Sequence, residues 1–487
     1  MGGAADTSAP SRLVARVPIA ATLRDYRREW IRPDLLAGLV LATMLVPQGM
    51  AYADLTGLPA VTGIYTTIAA LIAYGIFGPN RRLVLGPDSS LAPVIAAVVV
   101  PLAAGADDAV ALASAMSLMA GLVCVLAGFL KLGVVTELLS KPIRIGYLNG
   151  IAVLIFLSQL PAALGLEVDG TSPLEILTGT LDLIRDGQIV PQAVTLSVAG
   201  VVVIVVLNRL SRLRPGVIVA AVGSIVAVSV FGLAVEVVGD IPSGLPPLTI
   251  PAIDGDVITA LVGGALAVAL VSFADTGSLS TATALKAGEK VDPNSEIKAL
   301  GASNLLSGLF QGFATSASSS RTAVALAVGS RTQVAGLIAA AGVVLIVLVF
   351  PGLVSEMPQP TLAAIVITAS FTLFDWRGWL WLSRVRRSEF FLSTAAALAV
   401  LFVGVLEGIG IAILLSLANF IRRSWRPHSA ELGKVPGVPG YHDRERHPEA
   451  ETVPGLLIIR YDAPLFFANA PDFGRTLQEM LRETDRP

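Results

Sequence analysis

Arg321 stands in Ser318-Ser319-Ser320-Arg321, directly ahead of the apolar run 322–328. An arginine among apolar neighbours inside a bilayer costs several kcal/mol unless it faces a cavity or a counter-charge. It can then supply a fixed positive charge to an anion, or close a salt bridge with an acidic neighbour. A second broken segment, Gly86-Pro87-Asp88-Ser89-Ser90 running into 91–100, takes the matching place in the first half of the chain. Each break predicts a short half-helix whose N-terminus exposes unpaired N–H groups, an arrangement that attracts anions. If the two starts face each other, they offer backbone N–H groups and the hydroxyls of Ser89, Ser90, Ser318, Ser319 and Ser320 to a small oxyanion. The same serines can instead cap helices or ease close packing.

Acids and amides complete the candidate set. Asp275 ends the apolar run 261–274 with no basic residue nearby in sequence, so it should face the protein interior. There a carboxyl can bind and release a proton, ligate Na⁺, or serve as the permanent partner of Arg321. Asp88 opens the first half-helix, where a carboxylate is a good N-cap; ionised, it would also repel an anion at that end, so a protonated Asp88 during transport is the alternative. Gln48, beside the Pro47 break, can hydrogen-bond a ligand, and Tyr52, one turn later, can wall the site; either can instead act as helix-packing glue. The single cysteine, Cys124, has no partner for a disulfide, and His428, His442 and His447 all lie in the polar C-terminal stretch. No cofactor, metal cluster, catalytic triad or phosphate-binding glycine loop is expected, and no enzyme.

These residues need a membrane to sit in. The chain is 54% hydrophobic and 14% charged, with a mean hydropathy of +0.75, far too apolar for a soluble domain. Its net charge of −2 gives no reason to expect nucleic acid as a partner. Windows able to cross about 30 Å of hydrocarbon, together with the two broken ones, predict about fourteen segments. The first seven cover 35–53, 60–77, 89–104, 109–130, 143–160, 193–207 and 217–238. The second seven cover 257–285, 297–309, 320–328, 334–349, 361–373, 391–406 and 409–420.

Basic residues mark one side. Arg12, Arg16, Arg24, Arg27, Arg28 and Arg32 precede the first span; Arg81 and Arg82, Lys131, Lys141 and Arg144, and Arg209, Arg212 and Arg214 follow at every second loop. Lys286, Lys290 and Lys298, Arg331, Arg377, Arg384, Arg386 and Arg387, and Arg422 and Arg423 continue the series. The alternate loops 53–60, 101–108, 236–256 and 351–360 carry none, with Arg185 as the exception. Short basic loops stay inside, so both termini should be cytoplasmic in a multi-pass protein of the inner membrane. An odd number of spans per half makes the halves an inverted pair, with the broken segment third in each.

With 46–53 (Val46-Pro47-Gln48-Gly49-Met50-Ala51-Tyr52-Ala53), Gly63-Ile64-Tyr65, Gly86-Pro87, Asn294-Ser295-Glu296, Gly301, Asn304 and Ser318-Ser319-Ser320-Arg321, the chain resembles the SulP family of sulfate permeases over essentially its whole length. The resemblance implies an all-α membrane fold of fourteen spans in two inverted repeats, divided into core and gate domains and usually dimeric; the architecture is similar to that of uracil permeases. It implies that Gln48 and Tyr52 are first-span site residues, that Ser318, Ser320 and Arg321 contact the anion, and that Asp275 couples a proton or sodium ion. The resulting expectation is a secondary active transporter, a proton–sulfate symporter in which the core moves against the gate. Na⁺-coupled bicarbonate or dicarboxylate transport and an uncoupled anion channel are the alternatives.

The expected organisation is a cytoplasmic tail at 1–34, the transporter at 35–421, a linker at 422–450 and a partial STAS domain, a small α/β module of this family, at 451–487. In that last part 455–461 and 463–468 read as strands and 471–482 as a helix, too little to bury a core of its own.

Overall fold

The computed structural model of the chain describes residues 18–133, 141–168, 173–211, 215–239, 244–253, 255–425 and 427–483. Arg12, Arg16, Arg212 and Arg214 of the expected basic stretches lie outside the described residues. The chain divides into two compact units, Met1–Ala412 and Ile413–Pro487.

Helix α1 covers Pro18–Arg24, and a 3₁₀ turn at Arg28–Trp30 leads into α2, Ile31–Leu55, and then α3, Ala60–Phe77. Strand β1, Leu85–Gly86, precedes the short helix α4, Ala92–Val99. Helices α5 (Ala106–Phe129), α6 (Lys141–Leu164), α7 (Pro173–Arg185), α8 (Pro191–Leu210) and α9 (Gly216–Phe231) complete the first half. The second half repeats the pattern: α10 (Gly255–Lys286), α11 (Pro293–Leu309), strand β2 (Ser316–Ala317) and the short α12 (Ser319–Val328). It continues with α13 (Val334–Val349), α14 (Pro351–Ser355), α15 (Gln359–Leu373), α16 (Trp376–Val385), α17 (Arg387–Phe402) and α18 (Val405–Trp425). Among the described residues, six helices are long and apolar enough to cross a membrane, and the chain is a mostly helical membrane protein.

Packing sorts these helices into two groups. Helices α2, α3, α5, α10, α11 and α13 pack on one another and hold α4 and α12 among them; α6, α8, α9, α15, α16 and α17 form the second group. The groups meet through α2, which touches α6, α9 and α15, and through α4, which touches α6. Small residues let backbones close up within each group, since lipid gives helices no hydrophobic drive to associate. A Cβ on Gly301 of α11 would lie 2.7 Å from the Gly121 carbonyl of α5. In the second group one on Gly150 of α6 would lie 2.7 Å from the Ala397 carbonyl of α17.

Three sequence expectations change. The window 391–406 is not one span: α17 ends at Phe402, and Gly404, at φ 136, turns the chain into α18, a backbone conformation glycine adopts without a Cβ penalty. Helix α4 is shorter than the window 89–104, because Asp88–Leu91 is a turn whose start, the Asp88 carbonyl, accepts from the Leu91 and Ala92 N–H groups at 3.2 Å. Arg185, the exception among the basic loops, ends the surface helix α7 and pairs with Asp182 at 3.3 Å.

In the second unit, β3 (Ser429–Gly433) is flanked by β4 (His442–Asp443) and β5 (Ile459–Tyr461) in an antiparallel sheet ordered β4-β3-β5, followed by helix α19 (Ala470–Glu483). Strands β3 and β4 fall within the stretch read as a linker. The expected strand at 463–468 is instead a loop: the Asn469 amide accepts from the Phe466 N–H at 2.9 Å and donates to the Pro464 carbonyl at 3.0 Å, satisfying backbone that a ladder would otherwise pair.

Candidate functional site

The two breaks meet. Strand β1 pairs antiparallel with β2, Leu85 opposite Ala317 and Gly86 opposite Ser316. Side chains finish what so short a ladder leaves open: the Val84 N–H donates to Thr322 Oγ1 at 3.2 Å, and the Ala317 N–H to Thr276 Oγ1 at 3.1 Å. Irregular backbone survives at membrane depth only where protein satisfies it in this way.

A cavity of about 920 Å³ opens beside this crossing. Gln48 and Tyr52 of α2, Asp88 and Ser89 ahead of α4, Asp275 of α10, and Ser318, Ser319 and Ser320 at the start of α12 all line it. With Ser90, nine of the ten residues expected from sequence thus share one wall. Ser318 is the N-cap of α12 without a side-chain capping bond, so the first N–H groups of that helix have no intrahelical partner and remain available to a ligand. Ser318 and Ser320 hydroxyls lie 3.1 Å apart. Gln48 is 7% exposed, and its Oε1 has no hydrogen-bond partner among the described residues.

Arg321 is placed differently from expectation. It is 1% exposed and sits behind the cavity wall, not on it. Its Nη1 donates to the Pro87 carbonyl and its Nη2 to the Gly86 carbonyl at 3.3 Å, and Nη2 stands 3.6 Å from Asp88 Oδ1. The carbonyls of the first break therefore hold the guanidinium of the second. Asp88, not Asp275, is its counter-charge, because the β1–β2 pairing brings 86–88 across α12. Asp88 does not cap α4 as expected, because the N-cap of that helix is Leu91, without a side-chain capping bond; its carboxylate instead accepts from the Ser90 N–H at 3.2 Å within the preceding turn.

Asp275 meets a different partner: Ser90 Oγ lies 3.0 Å from Asp275 Oδ2 and 2.8 Å from Asp88 Oδ2. Sequence reasoning read Arg144 and Arg209 only as loop charges, whereas both, with Asn208, line the same cavity further along. Among the described residues neither forms an ion pair with Asp88 or Asp275. Their signal was a basic residue within one turn of a span end. A separate buried acid, Glu296, lies off the cavity and accepts from Tyr74 Oη at 2.6 Å and Ser280 Oγ at 2.7 Å.

Known proteins resemble this chain in sequence and in fold. A probable sulfate transporter of Mycobacterium tuberculosis is 41% identical over 466 residues, covering 94% of this chain and 82% of that protein. Human solute carrier family 26 member 6 is 34% identical over 96% of this chain and 65% of its own length. Among solved structures, murine solute carrier 26 family member A9, an anion transporter in the inward-facing state, superposes with a TM-score of 0.82 at 22% identity, covering 100% of this chain and 83% of that one. The transmembrane domain of the cyanobacterial bicarbonate transporter BicA gives a TM-score of 0.70 at 24% identity over 79% of this chain and 98% of that one. Residues 31–396, which carry both breaks and the whole cavity wall, match the profile of the Sulfate permease family, and this chain belongs to that family of anion transporters.

Proposed function

We propose that the chain takes up sulfate together with protons, by movement of the helix group that carries α4 and α12 against the group of α6, α8, α9 and α15. One observation carries this reading: the buried cation Arg321 is outnumbered by two carboxylates, Asp88 and Asp275, that share the cavity wall. With both ionised, the inner cavity repels a sulfate; one added proton removes the excess charge, and the second carboxylate keeps the anion from binding without it. Arg144 and Arg209, further along the wall, draw the anion in.

In this reading the basic side and both termini face the cytoplasm, the cavity opens inward, and the protein is a homodimer of the inner membrane. Proteoliposomes loaded with buffer test the core of it. Labelled sulfate uptake should rise with an inward proton gradient and ignore a Na⁺ gradient, and Arg321→Ala should weaken apparent sulfate affinity about ten- to a hundredfold, as loss of a charge-assisted interaction implies. Uptake driven by Na⁺ with bicarbonate or succinate preferred, or gradient-independent anion currents, would replace it with the Na⁺-coupled or channel alternative.

A further inference from the structure

We propose that Ser90 relays the transported proton between Asp275 and Asp88, and that the proton's arrival on Asp88 frees Arg321 to act on the anion. This rests on the proton-coupled reading above. Ser90 is 1% exposed, and its Oγ stands 2.8 Å from Asp88 Oδ2 and 3.0 Å from Asp275 Oδ2. A serine hydroxyl carries one hydrogen and donates to one acceptor at a time. The second contact is therefore a hydrogen bond only when a carboxyl group supplies the hydrogen. Arg321 Nη2, 3.6 Å from Asp88 Oδ1, gives that carboxylate a counter-charge, while among the described residues no cation lies within ion-pair distance of Asp275. The hydrogen belongs on Asp275, which donates to Ser90, and Ser90 donates to Asp88.

Transfer along this line is balanced. The O–H bond of Asp275 breaks as its proton bonds to Ser90 Oγ, while the hydrogen already on Ser90 leaves for the Asp88 carboxylate. The serine ends as a hydroxyl with its hydrogen bond reversed; Asp275 gains the negative charge that Asp88 loses. A neutral Asp88 no longer screens Arg321, so the guanidinium's field reaches the wall formed by Ser89 and Ser318–Ser320. Proton on Asp88 and anion on that wall then stabilise each other, and by linkage each tightens the other equally.

Among the described residues no other side chain hydrogen-bonds to both carboxylates. Tyr52 of α2 and Arg321 of α12 lie beside Asp88, Arg144 of α6 lies near Asp275, and Tyr147 of α6 lies near both carboxylates, its Oη without a hydrogen-bond partner among the described residues. On the other helices packed against α10, Cys124 of α5 contacts the Ala269 carbonyl at 4.0 Å, and Glu296 of α11 is bound to Ser280 and Tyr74. Ser90 is, among the described residues, the one side chain within hydrogen-bond distance of both.

The test is labelled sulfate uptake by reconstituted full-length protein with and without an inward proton gradient. Wild type and Ser90→Thr, which keeps the hydroxyl, should be stimulated about fivefold or more, and Ser90→Ala should show no stimulation. Asp88→Asn, whose Oδ1 can still accept from the Ser90 N–H but which cannot accept the proton, should likewise show no response to the gradient, whatever its basal rate, and it serves if Ser90→Ala does not assemble. A gradient response in Ser90→Ala or Asp88→Asn equal to wild type, with Asp275→Asn unresponsive, overturns the relay and leaves proton coupling standing. Wild-type uptake that ignores the gradient overturns both.

Discussion

Gln48 is buried at 7% exposure with its Oε1 unpaired, on the wall of the cavity. An unsatisfied buried carbonyl costs folding free energy that an apolar residue of similar shape does not. Gln48→Leu should therefore keep or raise the melting temperature while weakening sulfate affinity about tenfold, the loss of about one hydrogen bond to the ligand. Scanning fluorimetry and uptake kinetics check the two halves; a lowered melting temperature with unchanged affinity would make Gln48 a packing residue. At this scale residue identity was legible before the fold, since a lone amide beside Pro47 and a lone arginine between apolar neighbours have few uses in a bilayer. Partners were not. That Arg321 pairs with Asp88 and Asp275 with Ser90 follows from the β1–β2 crossing, which joins residues more than two hundred positions apart and leaves no trace in local spacing.

Among the elements, apolar windows located spans where one face or all faces are buried. The windows 60–77 and 334–349 coincide with α3 and α13. Helices α7 and α16 escaped because each alternates charged and apolar faces and lies outside any continuous apolar run. The placement of the half-helices depends on α2, which carries Gln48 and Tyr52 and crosses α3 where Gly49 meets Gly63. A Cβ on Gly49 would lie 2.8 Å from the Gly63 carbonyl, and one on Gly63 would run into the Gly49 carbonyl. Gly63→Ala must push α2 off α3, costing about 1–3 kcal/mol as overpacking does. The expected result is a clearly lower melting temperature and reduced uptake. An unshifted melting temperature would mean that the crossing is looser than drawn.

For the whole molecule, the useful asymmetry is that two cavities open at opposite helix ends. The larger reaches Thr372 at the end of α15, Asn208 and Arg209 at the end of α8, and Arg144 at the start of α6. A second, of about 690 Å³, is lined by Ala60 and Thr62 at the start of α3, Asp107 at the start of α5, and Gln311 beyond the end of α11. If one helix group moves against the other, an anion that favours the occluded arrangement should narrow the first mouth. The chain suits a thiol test, because its one cysteine, Cys124, is 1% exposed and reacts slowly as a buried thiol does. Thr372→Cys should react with a membrane-impermeant maleimide from the cytoplasmic face only, and Asp107→Cys from the outer face only. Saturating sulfate should slow the first reaction severalfold. The opposite sidedness would invert the proposed orientation, and a Thr372→Cys rate indifferent to sulfate would leave the two helix groups without the relative motion on which the transport cycle depends.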